Sequence, residues 1–207
     1  AEKNIYCHNY VRLKAYFIPF MNADGTFKPN TNFESIYNLY LADQRIRDFL
    51  FPLIAILEVQ IRAVIDNEIT ASTNDPFWHL DPSNFISYEE IKKVLDKAGS
   101  RFRTGKQEFV KHHLERYYTS KSFDFKQIPP FWVIYEILTI EQLQTFATKI
   151  DSNKFSSAGS NQLNNCAIQF GFNSYNALTT NIKCIRDLRN ICAHHSRLWN
   201  KNLAAPN

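Results

Sequence analysis

The stretch Arg186-Asp187-Leu188-Arg189-Asn190-Ile191-Cys192-Ala193-His194-His195-Ser196-Arg197-Leu198-Trp199-Asn200 decides how this chain reads. On a wheel of ~100° per residue with Arg186 at 0°, Asn190 falls near ~40°, His194 near ~80°, Arg197 near ~20° and Arg189 near ~300°. Ile185, Leu188, Ile191, Cys192 and Trp199 gather on the other side. The stretch therefore predicts an amphipathic helix with one apolar face. Its polar stripe holds groups suited to phosphates. Arg186, Arg189 and Arg197 offer charge and paired donors, and His194 is a proton carrier near neutral pH. Ala193 leaves room for something to approach. His195 falls near ~180°, toward the apolar side, and reads as a packed or supporting residue. A solvated surface is the plainer reading of a charged stripe. Arg, Asn and His concentrated on one stripe, without scattered Lys and Glu, favour a site.

Outward from this helix the pattern stays helical. Ser174 is an N-cap for it, and Gly171 stops a short helix over 164–170. A helix over 131–147 follows the break at Pro129-Pro130, and a polar linker covers 153–160. Ser87, with Glu90 three residues on, reads as a capping box for a helix starting at Tyr88. Residues 71–87 read as a loop and 21–32 as a turn-rich connection. Asn32 caps a long helical stretch over 32–70, in which Pro52 should end or kink the helix near Phe51. A second helix over 53–69 should follow. An N-terminal helix should end before Pro19. Five glycines in 207 residues and 44% hydrophobic content fit an all-α bundle of six or seven helices, not a turn-rich β fold. The length bounds the chain to one domain over 1–207, with a helical insertion at about 71–128.

The formal net charge of +4 is mildly basic and compatible with nucleic acid. Residues 101–126 interleave Arg101, Arg103, Lys106, Lys111, His112, His113, Arg116, Lys121 and Lys126 with Tyr117 and Tyr118. Arg101, Arg103, Lys111 and Arg116 are candidates to grip an RNA backbone, against the plainer reading of a solvated helix face. Glu58 and Arg62, one turn apart in an apolar run, form either a buried brace or part of the same cleft as the Arg/His stripe. Cys7, Cys166, Cys184 and Cys192 form no C-x-x-C pair and read as buried free thiols in a reducing compartment. His112-His113 lacks the context of a zinc site, and no metal or other cofactor is expected. No signal peptide and no run of ~18 uncharged apolar residues is present, so a cytoplasmic protein without membrane contact is expected. The chain opens on Ala-Glu-Lys, not Met, and is expected to lack some N-terminal residues.

Arg189-Asn190-Ile191-Cys192-Ala193-His194 has the form R-N-x-x-x-H and resembles the R-x(4–6)-H signature of HEPN domains. The longer string through Asn200 resembles the C-terminal motif of the Abi-like (abortive infection, AbiD/AbiF-type) bacterial family. Two further blocks agree. Asn9-Tyr10-Val11-Arg12-Leu13-Lys14-Ala15-Tyr16-Phe17-Ile18-Pro19-Phe20 resembles its Y-R-L-x-x-Y block. Residues 33–62, with Tyr37, Leu39-Tyr40, Asp43, Arg45, Arg47, Glu58 and Arg62, resemble its D-x-x-L-R…E-x-x-x-R block. Ala42 and Ile46 depart from the commoner spelling.

The resemblance implies an HEPN-like helical fold and a homodimer with two R-x4-H motifs facing one cleft. It implies metal-independent endoribonuclease activity in phage defence or toxin-type growth arrest. The implied partners are RNA as substrate and a regulatory small non-coding RNA. In that reading His194 is the acid/base, Arg189 clamps the scissile phosphate, and Asn190 orients His194 or bonds the substrate. Arg186 and Arg197 hold flanking phosphates, and Asp43, Glu58 and Arg62, with His195, support them. The rival expectations are a non-catalytic module binding RNA or protein, and a purely structural dimerisation domain. Transfer of a nucleotide would need a phosphate-cradling Gly loop, which the five glycines do not form.

Overall fold

The computed structural model describes residues 6, 8–117, 128–157 and 160–203; Cys7, Tyr118, Lys121 and Lys126 lie outside them. Among the described residues the chain forms eight α-helices: α1 Tyr10–Phe17, α2 Phe33–Thr73, α3 Tyr88–Arg103, α4 Glu108–Tyr117, α5 Phe131–Ile134, α6 Ile140–Lys149, α7 Gln162–Gln169 and α8 Tyr175–Ala193. Two-residue strands β1 Ser156–Ser157 and β2 Ser160–Asn161 pair antiparallel. The described residues fall into two compact units. One takes those up to Ala55 and those from Asp187 onward; the other runs from Ile56 to Arg186. Both α2 and α8 contribute residues to each.

In the first unit Asn9 starts α1, its side chain accepting from the Val11 N–H at 3.0 Å. Pro19 ends α1 as expected, in a short 3-10 turn, Ile18–Phe20. The connection to α2 closes through a Met21–Phe27 bridge, with Gly25 at φ 83° where a side chain would be strained. Asn32 then caps α2 by accepting from the Ser35 N–H at 2.8 Å. Leu13, Tyr16, Ile36 and Tyr40 form the buried core, with Phe17, Phe20, Phe33, Tyr37 and Trp199 packed on it. Fully burying an apolar side chain of this size contributes roughly 1.5–3 kcal/mol.

The second unit is organised around Trp78, which is 0% exposed. Its ring centroid lies 4.5 Å from that of Phe131, and Phe146 packs on Phe131 at 5.1 Å. Its indole N–H donates to the buried Asp66 carboxylate at 2.9 Å, which satisfies the one polar atom of the ring. Burial raises the Asp66 carboxyl above the usual carboxylate range. His79 beside it is also 0% exposed, and burial pushes its imidazole down to about 3. Among the described residues neither ring nitrogen has a full hydrogen bond, with only a weak one to the Pro129 carbonyl.

Four local expectations are corrected. Pro52 neither ends nor splits its helix: α2 runs unbroken for 41 residues. Asp48 and Pro52 are both exposed, so the carbonyl that loses its N–H partner faces water. The helix expected over 131–147 is broken, with Leu138 extended after a 3-10 turn at Tyr135–Ile137. A capping box starts α6 afresh: Thr139 accepts from the Gln142 N–H at 3.3 Å, and Gln142 from the Thr139 N–H at 2.9 Å. Ser87 precedes α3 without capping any backbone N–H. The stretch 153–160 is not a bare linker. It carries the end of a 3-10 turn, Ser152–Phe155, and the small hairpin, from which Asn161 caps α7. Ser174 caps α8 as read, accepting from the Ala177 N–H at 3.2 Å.

Candidate functional site

The C-terminal motif straddles a helix end. Arg189 and Asn190 lie in the last turns of α8, half-buried, and α8 stops at Ala193. The His194 N–H still donates to the Asn190 carbonyl at 3.0 Å. The chain then closes a Schellman cap: Ser196 N–H donates to the Ile191 carbonyl at 2.9 Å and His195 N–H to the Cys192 carbonyl at 3.1 Å. His195 takes the left-handed position of that cap at φ 51°, where glycine is the usual residue. The wheel therefore does not extend past Ala193. His195 is exposed and not packed on the apolar side, His194 is exposed, and Arg197 lies in the irregular segment beyond the cap.

A non-glycine residue in this conformation costs about 1 kcal/mol. Tertiary bonds over-determine it. The Arg12 guanidinium of α1 donates to the His195 carbonyl at 2.6 Å. Three residues on, the Leu198 and Trp199 N–H groups donate to the Asp43 carboxylate at 3.2 and 2.6 Å.

Asp43 is the hub of the unit. Its carboxylate is buried and also accepts from the Tyr16 hydroxyl and the Arg47 guanidinium. Four donors on one buried carboxylate offset its desolvation. Burial, and then the bond to Asp43, push the Tyr16 phenol up to about 12. Burial likewise raises the nearby Cys192 thiol. Asp43 is thus a staple that holds residues 198–199 on α2.

Beside this staple a cavity of about 250 Å³ is lined by His8, Arg12, Tyr40, Gln44, Arg47 and His195. Among the described residues no carboxylate is in that lining. Arg47 is neutralised by Asp43, whereas Arg12 has no carboxylate partner among the described residues. His8 packs edge-on against Tyr40 and Tyr37 at 5.1 and 5.6 Å.

The model of the Abi-like protein family matches residues 3–200. The chain belongs to the Abi-like family. No curated protein and no solved structure matched it.

The remaining candidate residues of this Abi-like protein lie in the second unit, and most of them hold its elements together. Arg186 donates to the Gln144 side chain at 2.6 Å. Glu58 and Arg62 form the expected pair, and Arg62 also donates to the Leu138 carbonyl at 3.0 Å, where α5 gives way to α6. Arg101 donates to the Ile137 carbonyl, and Arg103 to the Ser100 hydroxyl at 3.2 Å. Lys111 and Arg116 are exposed on α4, while His113 packs between Phe102 and Tyr117. No helix among the described residues is long and apolar enough to cross a membrane.

Sequence reading passed over Arg12, Gln44, His8 and Tyr40 as site residues. Arg12 and Tyr40 stand inside the two N-terminal blocks of the Abi-like pattern, which was the available signal. Arg12 meets His195 across 183 residues, a pairing no local pattern encodes.

Proposed function

We propose that this Abi-like protein is an endoribonuclease of the abortive-infection, phage-defence type. RNA supplies its own nucleophile. In the proposed step His194 takes the proton of a 2′-hydroxyl, and the 2′-oxygen forms a bond to the adjacent phosphorus. The bond from phosphorus to the 5′-oxygen breaks, and a second imidazole, His194 of a second copy, returns a proton to that oxygen. Arg189 holds the charge that grows on the phosphoryl oxygens, and Asn190, one turn before His194, orients the imidazole or the substrate. The products are a 2′,3′-cyclic phosphate and a 5′-hydroxyl, and no metal is needed for the balance.

One observation carries the reading. An exposed His194 directly follows the turn that bears Arg189 and Asn190, in the same unit as a cavity lined by Arg12, Arg47 and His195 and, among the described residues, by no carboxylate. The test is cleavage of total RNA in EDTA by the wild type and by His194→Ala, with product ends determined. Cyclic-phosphate ends from the wild type, at least about a hundredfold fewer from the variant, are expected. RNA bound by a folded protein but never cut would replace the enzyme with a non-catalytic RNA-binding module.

A further inference from the structure

The cavity beside His195 has donors to spare. Arginine carries five N–H donors. Among the described residues, the only hydrogen bond made by the Arg12 side chain goes to a neutral carbonyl. The side chains of Tyr40, Gln44 and His195 make none among those residues, and all three residues line the same space. The positive charge of Arg47 is balanced by Asp43, while no carboxylate among the described residues lines the cavity to balance Arg12. A space of about 250 Å³ is small for a drug-sized ligand and roomy for one phosphoryl group with water. His195 adds the sharpest sign. The left-handed cap would hold glycine at lower cost, yet the residue there is a histidine, and it lines the cavity.

We propose that this cavity is a phosphate subsite, which takes one phosphodiester group of a single-stranded RNA next to the bond that is cut. The proposal rests on the ribonuclease reading for the owner of the phosphate, not for the anion chemistry. Arg12 and Gln44 reach the phosphoryl oxygens as donors, and the His195 imidazole donates from the cap. The ring series Phe33, Tyr37 and Tyr40, with centroids 5.9 and 5.8 Å apart, runs beside it. Phe33 and Tyr37 are only half-buried. Such rings suit an unpaired base, not a duplex.

The test uses the His194→Ala protein, so that RNA is not consumed, and a fluorescein-labelled single-stranded RNA read by anisotropy. Adding His195→Gly is expected to weaken binding about tenfold while the melting temperature holds or rises, because glycine suits the cap. Adding Arg12→Gln is expected to weaken binding and to lower the log–log salt slope by about 0.7, one phosphate contact on a single strand. Inorganic phosphate alone is expected to raise the melting temperature of His194→Ala and not of the variant that also carries His195→Gly. Unchanged affinity and slope in both variants would overturn the subsite. RNA cut equally well by the wild type, His195→Gly and Arg12→Gln would also overturn it while leaving the ribonuclease standing. A phosphate effect that depends on His195, in a wild type that neither binds nor cuts RNA, would keep the subsite and remove the ribonuclease.

Discussion

Asp43 and Arg47 stand one turn apart on α2, a spacing that contributes only a few tenths of a kcal/mol on a solvated helix. Here both are buried, and Asp43 also takes the Tyr16 hydroxyl and two backbone N–H groups from beyond the cap. The balance of such a buried pair is asymmetric. Formed, it roughly offsets its own desolvation; broken, it leaves a buried charge. Asp43→Asn leaves Arg47 without its counter-charge and turns an amide donor toward other donors. Its expected cost is about 3–5 kcal/mol, read as a lower urea midpoint at unchanged slope. A loss under 1 kcal/mol would show that water reaches Arg47.

At the scale of elements, caps and breaks set where each helix begins and ends. Asn9, Asn32, Asn161 and Ser174 each take a backbone N–H that the first turn leaves without a partner. The Thr139–Gln142 box divides α5 from α6 and leaves the Leu138 carbonyl to accept Arg62. Proline at position 52 is the opposite case, a breaker that does not break. Inside a helix proline is about 3 kcal/mol worse than alanine, and water at an exposed site recovers part of this. Pro52→Ala is expected to stabilise the protein by about 1–3 kcal/mol, seen as a higher urea midpoint. A lower midpoint would mean that packing needs a bend at this position.

For the molecule as a whole, stability against pH has a marked dependence on one group. The imidazole of His79 titrates at about 3 in the folded state because burial disfavours its charge, against ~6.5 unfolded. Between those values the unfolded chain binds a proton that the folded chain refuses. The contribution is therefore complete above about pH 6.5 and is lost as pH falls toward 3, by at most ~1.4 kcal/mol per pH unit. Burial also raises the Asp66 carboxyl and lowers the His113 imidazole, so from about pH 5 to 7 it is the difference between the wild type and a His79 variant that reports on His79. In that window, His79→Leu is expected to flatten the fall of unfolding free energy as pH is lowered. Parallel curves for the variant and the wild type would show that His79 is charged in the folded protein.

The sequence by itself determined the helical class, the caps Asn32 and Ser174, the stop at Gly171, the buried free thiols Cys166 and Cys192 but not the half-buried Cys184, and the family to which the C-terminal motif and its two companion blocks belong. Each is local information: a 3.6-residue period, a cap residue at a helix start, a run of residues in order. Even there Thr139 and Gln142 were legible as a T-x-x-Q box and were lost inside an apolar run. Only the tertiary structure decided which histidine faces a cavity and which arginines are already engaged. A helical wheel extends a helix without knowing its end, and the end is where His195 turns left-handed. The bonds that hold that turn join residues 183, 155 and 156 positions apart. Contacts at such separation follow from the packing of buried side chains, which no period along the chain encodes.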